Sequence, residues 1–290
     1  MTRTRGLLTA AAVPLIMMAG CARSGEAGSA PAAEPIAESA PANPVVLVRI
    51  AQQGGFVPAN FAYGRLPEIT VYSDGRVISN GPVPLSYPGP ALPNLLVSRI
   101  TPARAQQWAD DAVKAGVKSG ADLGTPGVTD IPDTVLTATS QGKTETVRVN
   151  ALRQARPDDP YLTAEQRAAR KKLAAYADEL TGFADSVSSP APDVYRPLGV
   201  VALVEAYVAG DVEQPEKAWP GPALPGEELN AGTGLHCVAV TGAEKDTILA
   251  AAGAANQLTP WTSGGKQWKV TFRPLLPDET GGCAALKGAR

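Results

Sequence analysis

Pro88-Gly89-Pro90-Ala91-Leu92-Pro93 recurs letter for letter at residues 220–225, and the meaning of that repeat decides how the chain divides. Each copy precedes an apolar run that reads as a strand, 95–100 in one case and 235–240 in the other. Each strand is followed by a threonine placed to open a helix. Thr101 stands before Pro102, whose missing N–H costs nothing at a first helical position. Thr241 stands three residues before Glu244, the spacing of a capping box. A similar turn then closes both stretches: Thr139-Ser140-Gln141-Gly142-Lys143 and Thr262-Ser263-Gly264-Gly265-Lys266. The separations differ between the copies, and insertions of that kind belong in loops. The repeated order reads as an internal duplication.

Outward from these anchors, 45–50 is a continuous apolar run, and 69–78 alternates on both sides of Ser73-Asp74-Gly75, a hairpin signature. Residues 134–140 and 143–150 read as strands around Gln141-Gly142. Ala105, Trp108, Ala109 and Ala112 recur on one face of the helix after Thr101. Thr163 with Gln166 forms a capping box that opens a second helix, running to about Ala184. Its apolar stripe is Leu173, Tyr176, Ala177, Leu180 and Phe183; Arg167, Arg170, Lys171 and Lys172 read as a solvated positive face. Residues 186–197, rich in Ser and Pro, have the composition of a linker. Beyond it, 200–208 is another apolar run, and Trp268, Val270 and Phe272 alternate with polar residues. The expected fold is α+β with two related halves, 45–185 and 198–290, each an antiparallel sheet packed by a helix, after a disordered N-terminal tether.

The first residues carry a different kind of signal. Arg3 and Arg5 precede an apolar stretch too short for a comfortable membrane span, and small residues lead to Cys21. Met18-Ala19-Gly20-Cys21 resembles a bacterial lipobox, with methionine where leucine is more usual. That resemblance implies a signal peptide over 1–20, a lipid on Cys21 and attachment to the outer face of the cell membrane. Residues 21–44, built from Ala, Ser, Gly, Glu and Pro, hold too little apolar material to fold and read as a tether. Largely extended, it would reach roughly 70 Å. With Cys21 lipidated, two of the three cysteines remain, so a Cys237–Cys283 disulfide is expected in an oxidising compartment.

Composition narrows the chemistry. Net charge is -2, aromatic residues make up 5%, and His236 is the only histidine. No basic stripe stands out, so nucleic acid is not an expected partner. Ser140 to Lys143 and Ser263 to Lys266 have the S-x-x-K spacing, but both fall at hairpin turns rather than on a helix. Gly142-Lys143-Thr144 resembles the end of a phosphate loop, yet Thr137 stands where its first glycine belongs. His236 reads as a packed or surface imidazole in a strand. The acid pairs Asp158-Asp159, Glu227-Glu228 and Asp278-Glu279 sit in loop-like contexts and read as solvated. No cofactor or metal is expected.

The segment from Thr259 through Trp261, Gly264 and Gly265, then Arg273-Pro274-Leu275-Leu276-Pro277-Asp278-Glu279 and Cys283, resembles secreted actinobacterial lipoproteins of unassigned function. Trp219-Pro220, the Cys237 strand and the start of the helix after Tyr161 belong to the same resemblance, which implies no activity. Trp219, Trp261 and Arg273 are the candidate binding surface, an aromatic and cationic groove for a glycan, peptide or lipid; the competing reading makes both tryptophans core. The expectation is a lipid-anchored, non-catalytic binding or interaction module of the cell envelope. Two alternatives stand beside it: an envelope-directed hydrolase using His236, and a carrier or inhibitor that binds a small apolar ligand or a protein.

Overall fold

The computed structural model describes residues 44–185 and 191–287. The expected signal peptide, Cys21 and the tether up to residue 43 lie outside the described residues, as do 186–190 of the expected linker. Thirteen strands and five helices are present among the described residues. In chain order they are β1 (Val46–Gln53), α1 (Phe61–Gly64), β2 (Ile69–Tyr72), β3 (Arg76–Asn80), β4 (Leu95–Arg99), α2 (Pro102–Ala115), β5 (Asp133–Ser140), β6 (Lys143–Asn150) and α3 (Ala164–Asp185). There follow β7 (Asp193–Val194), β8 (Gly199–Ala206), β9 (Lys217–Ala218), β10 (Glu227–Asn230), β11 (Leu235–Thr241), α4 (Gly242–Gly253), β12 (Trp261–Ser263), β13 (Lys266–Pro274) and α5 (Cys283–Leu286). The fold is α+β, with a seven-stranded sheet ordered β6-β5-β1-β2-β3-β4-β7 and a six-stranded sheet ordered β10-β11-β8-β13-β12-β9. All pairings are antiparallel except β12 with β9.

Alternation along the strands sends successive side chains to opposite faces. On β2, Ile69 and Val71 join a core with α2 and α3, and Tyr72 joins a separate cluster with Ile78, Leu95 and Leu276. On β8, Val200, Ala202 and Val204 pack with Ile248 and Ala252 of α4, whereas Val201 and Leu203 pack with Tyr63, Cys237 and Leu275. Each sheet therefore has helices on one face. The C-terminal segment binds the other faces together. Leu276 lies with Tyr72 of the first sheet, and Leu275, Cys283 and Leu286 lie with the second.

Local sequence explains the elements well in several places. Thr101 Oγ1 accepts from the Arg104 amide at 3.2 Å, and α2 ends at Gly116 in the left-handed conformation. The Thr163/Gln166 capping box is reciprocal, with bonds of 2.9 and 3.1 Å. At Gly75, φ is +84° and a Cβ would fall 2.1 Å from the Ile100 carbonyl oxygen, so the β2–β3 turn requires glycine there. Thr241 departs from expectation. It is the last residue of β11, its hydroxyl makes no cap bond, and Gly242 turns the chain at positive φ. The strand claims the residue that the capping pattern assigned to the helix.

The two halves share a succession of elements but not a strand order. β1 pairs with β5, the first strand of its hairpin, whereas β8 pairs with β13, the second strand of the equivalent hairpin. β11 pairs directly with β8, but β4, its counterpart before α2, is separated from β1 by β2 and β3. The two PGPALP stretches instead meet at one core. Ala91 and Leu92 of the first pack against the cluster that contains Leu224 of the second, and Gly89 and Ala91 bond to the backbone of Gln257 and Ala255. The expected linker is also shorter than its composition implied. Asp193 and Val194 form β7 on the edge of the first sheet, and the Tyr195 hydroxyl donates to the Leu275 carbonyl at 2.8 Å.

Candidate functional site

Trp219, Trp261 and Arg273 do not form a binding surface. They are 8%, 1% and 5% exposed. The two indoles meet edge to face with centroids 5.7 Å apart, and Phe272 completes an aromatic cluster under α4. The Trp219 Nε1 donates to the Pro222 carbonyl, which satisfies its one polar atom within the second PGPALP. Arg273 follows Phe272 on β13 and so points to the opposite face. There its two terminal nitrogens donate to both Glu279 oxygens at 2.8 and 2.6 Å. The sequence rule that tryptophan beside arginine marks recognition fails because strand alternation puts the aromatic and the cation on different sides of one sheet.

The other singled-out residues are placed as follows. Cys237 and Cys283 form the disulfide, buried between β11 and α5. His236 is half-buried, with Nδ1 3.2 Å from the Gly234 carbonyl oxygen and Glu228 as its cross-strand neighbour. Ser140 Oγ donates to Asp110 at 2.6 Å, Lys143 pairs with Glu145, and Ser263 Oγ accepts from the Leu224 amide. Asp158 and the Glu227-Glu228 pair are exposed as expected, but three of the other acids are not solvated. Asp159 is buried and accepts from the amides of Gly127 and Tyr161. Asp278 and Glu279 each hold an arginine. Among the described residues no three His, Cys, Asp or Glu side chains come together as a metal site.

One concave surface lies along α3, where sequence periodicity promised only solvent. A half-open groove of about 540 Å³ runs between the helix and the turns of 151–162. From α3 it is lined by Arg167, Ala168, Arg170, Lys171, Ala174 and Asp178, and from the turns by Leu152, Arg153, Ala155, Arg156, Pro157 and Leu162. Positions 167, 171, 174 and 178 form one helical stripe. Alanine at 168 and 174 leaves the stripe hollow, and Leu152 and Leu162, both buried, give the opposite wall a packed base.

Arg170 is the residue that joins the two walls, and its expected place on a solvated face is corrected. It is 3% exposed. Its Nη1 donates to the Leu123 carbonyl at 3.2 Å, and its Nη2 donates to the carbonyls of Asn150 and Ala151 at 2.6 and 2.8 Å. Burial lowers its affinity for the proton, with Asp159 offsetting part of that, but a guanidinium remains charged at neutral pH. Its Nε has no partner. Arg167 likewise donates to backbone oxygens, those of Asp159 and Leu162. Both arginines thus spend their hydrogen bonds on neutral carbonyls, which order the turns, while Asp159 offsets part of the Arg170 charge and Glu165 part of the Arg167 charge.

No family model, curated protein or solved structure matches this chain.

The electrostatics of the groove must therefore be read from its own residues. Five cations face one carboxylate in the lining, on a chain whose net charge is -2. Arg153 is neutralised, with Nε 2.7 Å from Asp178 and Nη1 3.4 Å from Glu68. Asp158 forms an exposed ion pair with Arg156 at 3.9 Å, and Lys171 has no carboxylate partner among the described residues. One end is closed by the Arg153–Asp178 pair; Asp158, Glu165 and Asp159 offset part of the charge of Arg156, Arg167 and Arg170, and Lys171 supplies the unpaired positive charge. Such an arrangement can hold an anion against apolar carbon. Sequence reasoning noticed the helix cations but missed the opposing wall, because turns have no periodicity. The available signal was the density of arginine and lysine from 153 to 172, spanning a loop and a helix together.

Proposed function

We propose that this chain is a membrane-anchored extracytoplasmic lipoprotein, similar to secreted actinobacterial lipoproteins, that serves as a non-catalytic binding module of the cell envelope. The groove along α3 is its binding site. The observation that carries the reading is a hollow, half-apolar surface whose lining holds five cations and one carboxylate, with Lys171 unpaired among the described residues. A volume of about 540 Å³ is that of a small-molecule site, typically about 300–1,000 Å³, which favours a small ligand over a protein partner. The anchor reading rests on the lipobox-like residues ending in Cys21.

Two experiments test this. Cys21→Ala should release the protein from the membrane fraction of cells; full retention rejects the anchor. A photo-crosslinking amino acid at position 171 should capture an envelope component that one at Lys118, exposed and outside the lining, does not. Equal labelling from both positions rejects the groove as the site.

A further inference from the structure

We infer that the α3 groove binds a single-chain anionic amphiphile, a carboxylate or phosphate head joined to one alkyl chain. This rests on the reading of the groove as the binding site and adds the ligand class. The lining holds two chemistries side by side. Ala155, Pro157, Ala168 and Ala174 present carbon over the buried Leu152 and Leu162, a surface that inorganic anions do not use. Lys171, unpaired among the described residues, and Arg156, paired only with exposed Asp158, present positive charge at the surface, and Arg167, held by carbonyl oxygens and partly offset by Glu165, adds to it. Charge complementarity selects an anionic head over a zwitterionic one, because a choline or ethanolamine group would set a further cation beside Lys171 and Arg156. Transfer of the alkyl chain from water supplies the drive, in proportion to the apolar area covered. The Arg153–Asp178 pair adds no net charge at its end of the groove, so the head belongs with Arg156, Arg167 and Lys171.

The test uses the mature soluble chain from residue 22. Laurate, dodecyl phosphate, dodecylphosphocholine and inorganic phosphate are titrated calorimetrically, each below its micelle concentration. Laurate and dodecyl phosphate are expected to bind at least tenfold more tightly than dodecylphosphocholine, and inorganic phosphate is expected not to bind. Arg156→Gln with Lys171→Gln, both at exposed positions, should weaken the anionic ligands about tenfold. Ala168→Trp, which fills the hollow from an exposed helix position, should abolish binding with an unchanged thermal midpoint. Equal affinity for the zwitterion, binding of phosphate alone, or no binding of any amphiphile overturns the inference. If the amphiphiles fail while position 171 still captures an envelope component, the ligand class falls and the binding-module reading stands.

Discussion

Arg49 and Asp278, 229 residues apart in the chain, share two hydrogen bonds: Nη2 of Arg49 donates to Oδ1 at 2.8 Å and to Oδ2 at 2.9 Å. The Tyr72 hydroxyl donates to the same Oδ1 at 2.6 Å. A β1 cation and a β2 phenol are thereby tied to the segment after β13. Burial alone would raise the Asp278 carboxyl; the bonds from Arg49 and Tyr72 and the Arg49 charge outweigh it and hold it below its ordinary value. Burial and the bond to Asp278 push the Tyr72 phenol far above the usual range.

The first prediction concerns pH. A carboxyl depressed in the folded state contributes stability that is complete above its unfolded value and disappears as pH falls through the folded one. The protein should therefore lose stability on acidification below the ordinary aspartate range, and Asp278→Asn should lack that part of the profile. At neutral pH the substitution should cost about 2 kcal/mol, the order of a charge-assisted hydrogen bond in a partly buried site. Urea unfolding from pH 7 down to 3 measures both; an unchanged acid limb in the variant counts against the linkage.

The disulfide closes a sequence separation of 46 residues. In the chain-entropy model, a loop of that length contributes about 4 kcal/mol. Cys283→Ser should lower stability by that order. It should also expose the 275–286 segment to proteolysis, since Cys283 packs with Leu275 and Leu286. Peptide mapping without reduction should show Cys237 joined to Cys283, and free thiols would contradict the prediction.

Trp219→Ala should behave as a core substitution. Removing an indole that packs on Trp261 and Phe272 should cost about 3–5 kcal/mol and lower the thermal midpoint. It should leave the affinity of the α3 groove untouched in whatever fraction remains folded. Stability equal to wild type would return Trp219 to the surface.

Arg170→Met removes the donors held by the carbonyls of Leu123, Asn150 and Ala151. Unsatisfied buried acceptors should cost about 3 kcal/mol and loosen the 151–162 turns. Hydrogen exchange should show faster amides in that segment and little change in α4, which lies in the other core.

What was legible in the sequence follows a physical division. The hairpins at Gly75 and Gly142, the Thr101 cap and the Thr163/Gln166 box are local: their determinants lie within a few residues, so spacing reveals them. Cysteine arithmetic found the disulfide because only one pair remained to be made. Arg170 was misplaced because its partners come from two loops 19 to 47 residues away. Asp278 and Glu279 looked solvated for the same reason. Strand order was illegible because a shared succession of elements is compatible with several pairings, and the long-range contacts choose among them. The short strands β7, β9 and β10 carry no pattern of their own and exist as additions to edges already formed.

The first PGPALP lies within 44–185, yet its Ala91 and Leu92 cover the core of the other sheet, while β7, from beyond the proline-rich break, completes the edge of the first. A gene cut at that break would therefore give two products, each missing a piece of itself and carrying a piece of its neighbour. The place where composition invites division is one where the protein is not modular, and either sheet expressed without the other should be short of part of its own cover.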